Sequence, residues 1–131
     1  MSDTGEVKNV MVTGSAGRIG QAVVLELLSR GHLVRGYDQH PSPNLDNAFV
    51  ADLSDTETLA TAMDGVETLV HLAATPDDVD DVLGELFPPN INGLYHVMES
   101  ARVSGVRRIV LASSGQVNWF RSFNGPWPID E

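Results

Sequence analysis

The chain has 131 residues, 18 acidic against 8 basic, a formal net charge of −10 and no cysteine. That length suits one domain, large enough to bury roughly two-thirds of its unfolded surface. The absent thiols exclude disulfides and thiolate metal sites, and the acid excess argues against nucleic acid as a partner.

No run is long and apolar enough to span a membrane, and no charged-then-apolar leader opens the sequence. A soluble, cytoplasmic protein without a membrane partner is therefore the expectation. The acid excess and the single lysine, Lys8, also fit a salt-adapted source.

Residues 7–12 are short, apolar and β-branched, the pattern of a buried parallel strand. A turn carrying Gly14, Gly17 and Gly20 follows, and from Ile19 the residues Ala22, Val23, Leu27 and Leu28 recur at helical spacing until Gly31. Glycines at such spacing are a weak signal alone, but strand, glycine turn and helix in that order mark a dinucleotide-phosphate site. The first glycine permits the tight turn, the second lets backbone approach a pyrophosphate, and the third lets the helix pack on its strand. Amides of the first helical turn, at the positive end of the helix dipole, then face the phosphates.

Residues 33–37 form a second strand ending at Asp38, which follows the glycine turn at the separation expected of a ribose-binding acid. A carboxylate there accepts both ribose hydroxyls and repels a 2′-phosphate, so NAD is favoured over NADP. Arg18 and Arg35 pull the other way, since a guanidinium near that ribose could pair a 2′-phosphate.

Prolines make residues 40–44 a loop, and residues 48–51 a short third strand leading into Asp52 and Leu53. Ser54 with Glu57 reads as a capping box opening a helix that carries Leu59, Ala62 and Met63 and stops at Gly65. Residues 67–72 form a fourth strand, with Ala73, Ala74, Thr75 and Pro76 at its carboxyl end.

Asp77, Asp78, Asp80, Asp81 and Glu85 read as a solvated helix face and not a metal site, and the four histidines are too scattered for one. His71 is expected in the core and His96 on a helix surface. Pro88 and Pro89 are expected to break the chain before a fresh helix over 90–103, with Ile91, Leu94, Tyr95, Met98 and Ala101 on one face and Gly105 as its stop. Residues 108–112 form a fifth strand ending at Ser113 and Ser114. The tail, 115–131, reads as an ordered loop whose aromatics, Trp119, Phe120, Phe123 and Trp127, serve packing.

Strands alternating with helices imply a doubly wound parallel sheet of the Rossmann type, three layers α/β/α, right-handed crossovers and strand order 3-2-1-4-5, with ligands outside the carboxyl ends. The glycine turn, Asp38, Asp52, Ala73 and Ser114 all fall on that edge, which points to one cofactor groove.

These residues resemble the extended short-chain dehydrogenase/reductase family, the NAD-dependent epimerases and dehydratases. Thr13-Gly14-x-x-Gly17-x-x-Gly20 matches its TGxxGxxG pattern, so Gly14, Ala16, Gly17, Arg18, Ile19 and Gly20 are implied as cofactor-binding. Asp38 matches its second-strand acid. Asp52 and Leu53 match the pair whose carboxylate and amide read adenine. His71-Leu72-Ala73-Ala74 looks like the HxAA segment lining the nicotinamide ribose, and Asn90-Ile91-Asn92-Gly93 like its NxxG helix opening. The resemblance makes Ser114 the serine that orients the substrate oxygen, a role a hydroxyl donor suits because hydride transfer at a carbinol carbon develops charge on that oxygen. Thr75, Ser113, Gly115 and Gln116 are implied as substrate contacts.

Two departures bear on function. The stretch after Ser114 lacks the tyrosine-glycine pair of sugar epimerases and is closer to uronate and aldose dehydrogenases, with Gln116 where those carry histidine. This leans the substrate toward a free sugar or sugar acid, a nucleotide-sugar epimerase or dehydratase being the alternative. The family's YxxxK pair, which supplies the acid/base tyrosine, is absent: the tyrosines are Tyr37 and Tyr95, and the lysine is Lys8.

The expectation is therefore an NAD(P)-binding Rossmann domain over 1–131, the N-terminal part of a longer enzyme, holding the cofactor without turnover. A non-catalytic dinucleotide sensor or scaffold is the reading from another class. Strand five, apolar on both faces with no helix following, is expected to self-associate, as a homo-oligomer, or to need a partner segment.

Overall fold

A computed structural model describes residues 5–75 and 80–114. Five parallel strands lie in the order β3-β2-β1-β4-β5, where β1 is Asn9–Thr13, β2 Leu33–Asp38, β3 Ala48–Val50, β4 Thr68–His71 and β5 Arg108–Leu111. Helices α1 (Arg18–Ser29), α2 (Thr56–Met63) and α3 (Gly93–Ser104) connect them. The doubly wound Rossmann architecture and its strand order are as the sequence implies. Register is set by pairs such as Val12 with Gly36 and Val70, which bring the carboxyl ends of β1, β2 and β4 level.

Period-2 alternation in strands buried on both sides divides the core in two. On one face Met11, Tyr37 and Leu69 pack against Leu59, Ala62 and Met63 of α2 and Val97 and Ala101 of α3. On the other, Val10, Val12, Val34 and Val70 pack against Val24 of α1, with Val23 and Leu27 alongside. Each fully buried leucine or methionine contributes about 1.5–3 kcal/mol, so the sheet centre is rigid enough to fix whatever its carboxyl edge carries.

Three expectations need correction. Helix α2 is capped by Asp55, whose side chain accepts from the Thr58 amide, and not by Ser54. Ser54 is drawn into the preceding turn, where its amide donates to Asp52 Oδ1 at 2.8 Å. Pro88 and Pro89 do not break the chain: two π-helical turns, Val82–Leu86 and Pro88–Asn92, run directly into α3. The prolines occupy the first two positions of the second turn, the helical positions that best tolerate proline.

The buried stripe of α3 is Gly93, Val97 and Ala101, while Ile91 and Tyr95 are 52% and 67% exposed. Gly93 lies against Leu53, where a Cβ would come within 2.7 Å of Cδ1, and Val97 and Ala101 join the core cluster that also holds Leu53. The fifth strand is exposed at every residue. Asp81 caps the first π-helical turn through the Gly84 amide, and among the described residues no His, Cys, Asp and Glu group is placed to hold a metal. Asp77, Asp78 and the tail lie outside the described residues.

Candidate functional site

The glycine turn joins β1 to α1 at the carboxyl edge of the sheet. Gly14 has φ +72°, a left-handed conformation that favours glycine, and its amide donates to the Tyr37 carbonyl at 2.9 Å, tying the turn to β2. The three glycines are required for different reasons. A Cβ on Gly14 would lie 2.9 Å from the Ala73 nitrogen, and one on Gly20 would lie 1.9 Å from the Gly14 carbonyl oxygen. Both positions are closed by the protein's own backbone. A Cβ on Gly17 would meet only the Gly14 oxygen, at 3.2 Å, and otherwise faces open space.

Gly17 is also the N-cap of α1, which has no side-chain cap and no acidic residue in its first turn. Helix α2, by contrast, has both, in Asp55 and Glu57. The α1 terminus thus has neither a cap nor an acidic side chain of its own to offset its positive end.

Asp38 closes the turn from the β2 side. Its Oδ2 accepts from the Ala16 amide at 3.1 Å and its Oδ1 from the His40 amide at 2.9 Å. Beneath, the Ser15 and Ser42 hydroxyls are hydrogen-bonded at 2.5 Å and buried, and Gly36 leaves them room, since a Cβ there would lie 2.7 Å from Ser15 Oγ.

One strand further out, Asp52 is held by the Ser54 amide and by Gln39 Nε2. Hydrogen bonds from Ser54, then from Gln39, hold its carboxyl below the usual range. Leu53 is 8% exposed and belongs to the core, so its side chain is a packing group, and its carbonyl pairs with Nδ1 of His96 at 3.1 Å. His96, expected on the surface, is thereby a partly buried tie between α3 and this loop.

On the β4 side a buried hub forms around Thr13. Its Oγ1 accepts from the Leu72 and Ala73 amides at 3.2 and 3.3 Å and lies 2.6 Å from His71 Nδ1. With both lone pairs engaged, the hydroxyl proton goes to Nδ1, which assigns the neutral His71 ring its proton on Nε2. Burial pushes the His71 pKa down, consistent with that neutral form.

Beyond Ala74, Thr75 is clamped by Asn90: its amide donates to Asn90 Oδ1 at 2.7 Å and its carbonyl accepts from Asn90 Nδ2 at 3.2 Å. In this structure Asn90 holds the loop carrying Thr75. The Ala112 amide donates to the His71 carbonyl, so exposed Ser113 and Ser114 follow on the same edge. Gly115 and Gln116 lie outside the described residues.

The sequence model of the NAD dependent epimerase/dehydratase family matches residues 10–118. The chain belongs to this family. It is 34% identical over 125 residues to a 3 beta-hydroxysteroid dehydrogenase/Delta 5-->4-isomerase of Mycobacterium tuberculosis, covering 87% of this chain and 34% of that protein. It is 30% identical over 116 residues to the uronate dehydrogenase of Pseudomonas putida, covering 85% of this chain and 42% of that one.

A short-chain dehydrogenase/reductase superfamily protein from Agrobacterium tumefaciens, solved with bound NAD, superposes with a TM-score of 0.78 at 39% identity, covering 83% of this chain and 33% of that one. The chain thus spans about a third to two-fifths of the length of these relatives.

Within this NAD-dependent family, one of the two arginines weighed against NAD is accounted for. Arg35 Nη1 donates to the Ala62 and Asp64 carbonyls at 2.5 and 2.8 Å, and its guanidinium lies 5.9 Å from the Phe49 ring centroid. It closes the end of α2 and is unavailable to a ribose. Arg18 is exposed and, with Ile19, Ala22, Val23, Glu26 and Leu27, lines a shallow apolar groove on the outer flank of α1.

Sequence reasoning missed Thr13 as a hub, the Ser15–Ser42 pair, Gly36 and Gln39. Only Thr13 carried a signal, because it stands inside the motif itself.

Proposed function

We propose that this chain forms the NAD-holding part of a dehydrogenase that acts at a carbinol carbon of a sugar or sugar acid. The observation that carries this reading is the space at Gly17. Of the three motif glycines it is the one whose missing side chain opens toward solvent, directly before an α1 terminus without a side-chain cap. A pyrophosphate fits that cradle, because it brings the negative charge and acceptor oxygens that an open helix end lacks.

Asp38 would receive the adenosine ribose hydroxyls on the lone pairs not used by Ala16 and His40, and would repel a 2′-phosphate. Asp52 and the Leu53 backbone would read adenine, and Leu72, Ala73 and Ala74 would line the nicotinamide ribose, held there by Thr13. NAD, when bound, supplies a hydride acceptor. Ser114 would donate to the substrate oxygen as its charge develops, with Thr75 and Ser113 beside it. The sequence holds no tyrosine and lysine at the YxxxK spacing, so this chain retains the cofactor without turning substrate over. Exposed Ile109, Val110 and Leu111 of β5 provide the surface through which it associates.

Titration of the chain with NAD and NADP, followed by NMR or calorimetry, tests this reading. NAD binds tighter, and Gly17→Ala keeps the unfolding free energy within about 1 kcal/mol of wild type while weakening NAD binding by at least about 10-fold. Tighter NADP binding, or unchanged affinity in Gly17→Ala, overturns it.

A further inference from the structure

The carboxyl ends of β2 and β3 lie side by side, with Asp38 paired to Val50 in the register. The residues just beyond, Gln39 and Asp52, meet across the gap: Gln39 Nε2 donates to Asp52 Oδ2 at 2.5 Å. Asp52 is held at two further points. The Ser54 amide donates to Oδ1 at 2.8 Å, and the buried Tyr37 hydroxyl donates to the Asp52 carbonyl at 2.8 Å.

Tyr37 and Ser54 fix the backbone and one carboxylate oxygen through core and turn contacts that folding itself requires. The Gln39 contact is different in kind, because it joins two exposed side chains thirteen positions apart and is worth little to stability. Its effect is orientational. With the Ser54 amide on one oxygen and Gln39 Nε2 on the other the carboxylate plane is fixed, and the carboxylate keeps lone-pair capacity for an incoming N–H.

We infer that Gln39 is a positioning residue for base recognition, its amide holding the Asp52 carboxylate in the plane that receives the exocyclic amine of the purine. This rests on the reading of Asp52 as the adenine-facing group. An ionised carboxylate accepts and cannot donate, so a 6-amino purine is bound and a 6-oxo purine, which presents a carbonyl, is repelled. Without Gln39, Oδ2 turns to water and that discrimination falls.

The test uses the full chain and two ligands, NAD and its hypoxanthine analogue, with the ratio of their dissociation constants as the readout. Wild type favours NAD by at least about 10-fold, the worth of one hydrogen bond to a charged group. Gln39→Met, similar in length but without a donor, brings the ratio below about a third of the wild-type value, with the unfolding midpoint unchanged. Asp52→Ala abolishes the preference, and adding Gln39→Met to it changes the ratio no further. A wild-type ratio in Gln39→Met overturns the inference. Wild-type NAD binding with no preference between the two bases overturns it too while leaving the proposed function standing, and failure to bind NAD at all removes both.

Discussion

At Thr13 one hydroxyl takes on work usually spread over several groups. It accepts from two amides at the end of β4 and donates to His71, which sets the spacing between the glycine turn and the Leu72-Ala73 segment. The consequence is measurable through pH. His71 titrates lower in the folded chain than in the unfolded one because burial disfavours its charged form, so the unfolded state takes up a proton first and stability rises with pH across that interval.

Urea unfolding midpoints should therefore fall as pH drops below the unfolded histidine value of about 6.5, and His71→Asn, which keeps an acceptor for Thr13, should flatten that slope. Carboxylates held low in the fold, such as Asp52 and Asp55, lose their contribution only at more acid pH, near the ordinary value of about 4. An unchanged slope in His71→Asn would show that the titrating group lies elsewhere. The burial of His71 was visible in the sequence, but its pairing was not, since Thr13 and His71 are 58 positions apart and each fits its motif without the other.

Among the elements, the strands, the order of helices and the stops at Gly65 and Gly105 were legible because they rest on local rules: apolar periodicity and positive-φ glycines, both observed here. The errors fell where two local rules compete. Ser54 and Asp55 are both good caps, and the choice was made by Asp52, which draws the Ser54 amide into its own turn. Asp55→Ala should consequently cost about 0.5–2 kcal/mol in thermal or urea unfolding. Ser54→Ala, which leaves that amide in place, should cost less than about 0.5 kcal/mol. Equal costs would return the cap to Ser54. In α3, likewise, the buried face is the one that sets Gly93 against Leu53, and the spacing of its larger apolar residues did not show it.

For the molecule as a whole, charge and exposed surface act against each other. A formal charge of −10 on 131 residues opposes close approach of two copies, while β5 leaves Ile109, Val110 and Leu111 between 41% and 49% exposed. Screening shortens the repulsion to a Debye length of about 3 Å at 1 M salt, against about 10 Å at 0.1 M. Sedimentation should accordingly show association growing with salt, and Val110→Glu should return the chain to monomer at either salt. A wild type monomeric at all salt concentrations would remove the association from the proposal.

The sequence by itself determined the parallel α/β architecture, the strand order and the edge on which the distinctive residues fall, because periodicity, glycine turns and crossover handedness are local or chiral constraints. It also carried the family, since the TGxxGxxG motif and the acid at Asp38 are read along the chain. Only the tertiary structure decided which groups hold which. Arg35 belongs to the end of α2, Asn90 to the Thr75 loop, Asp52 to Gln39 and Ser54, and Thr13 to His71. Such pairings depend on which side chains the packed strands bring within about 3 Å of one another, and no periodicity in the sequence encodes that distance.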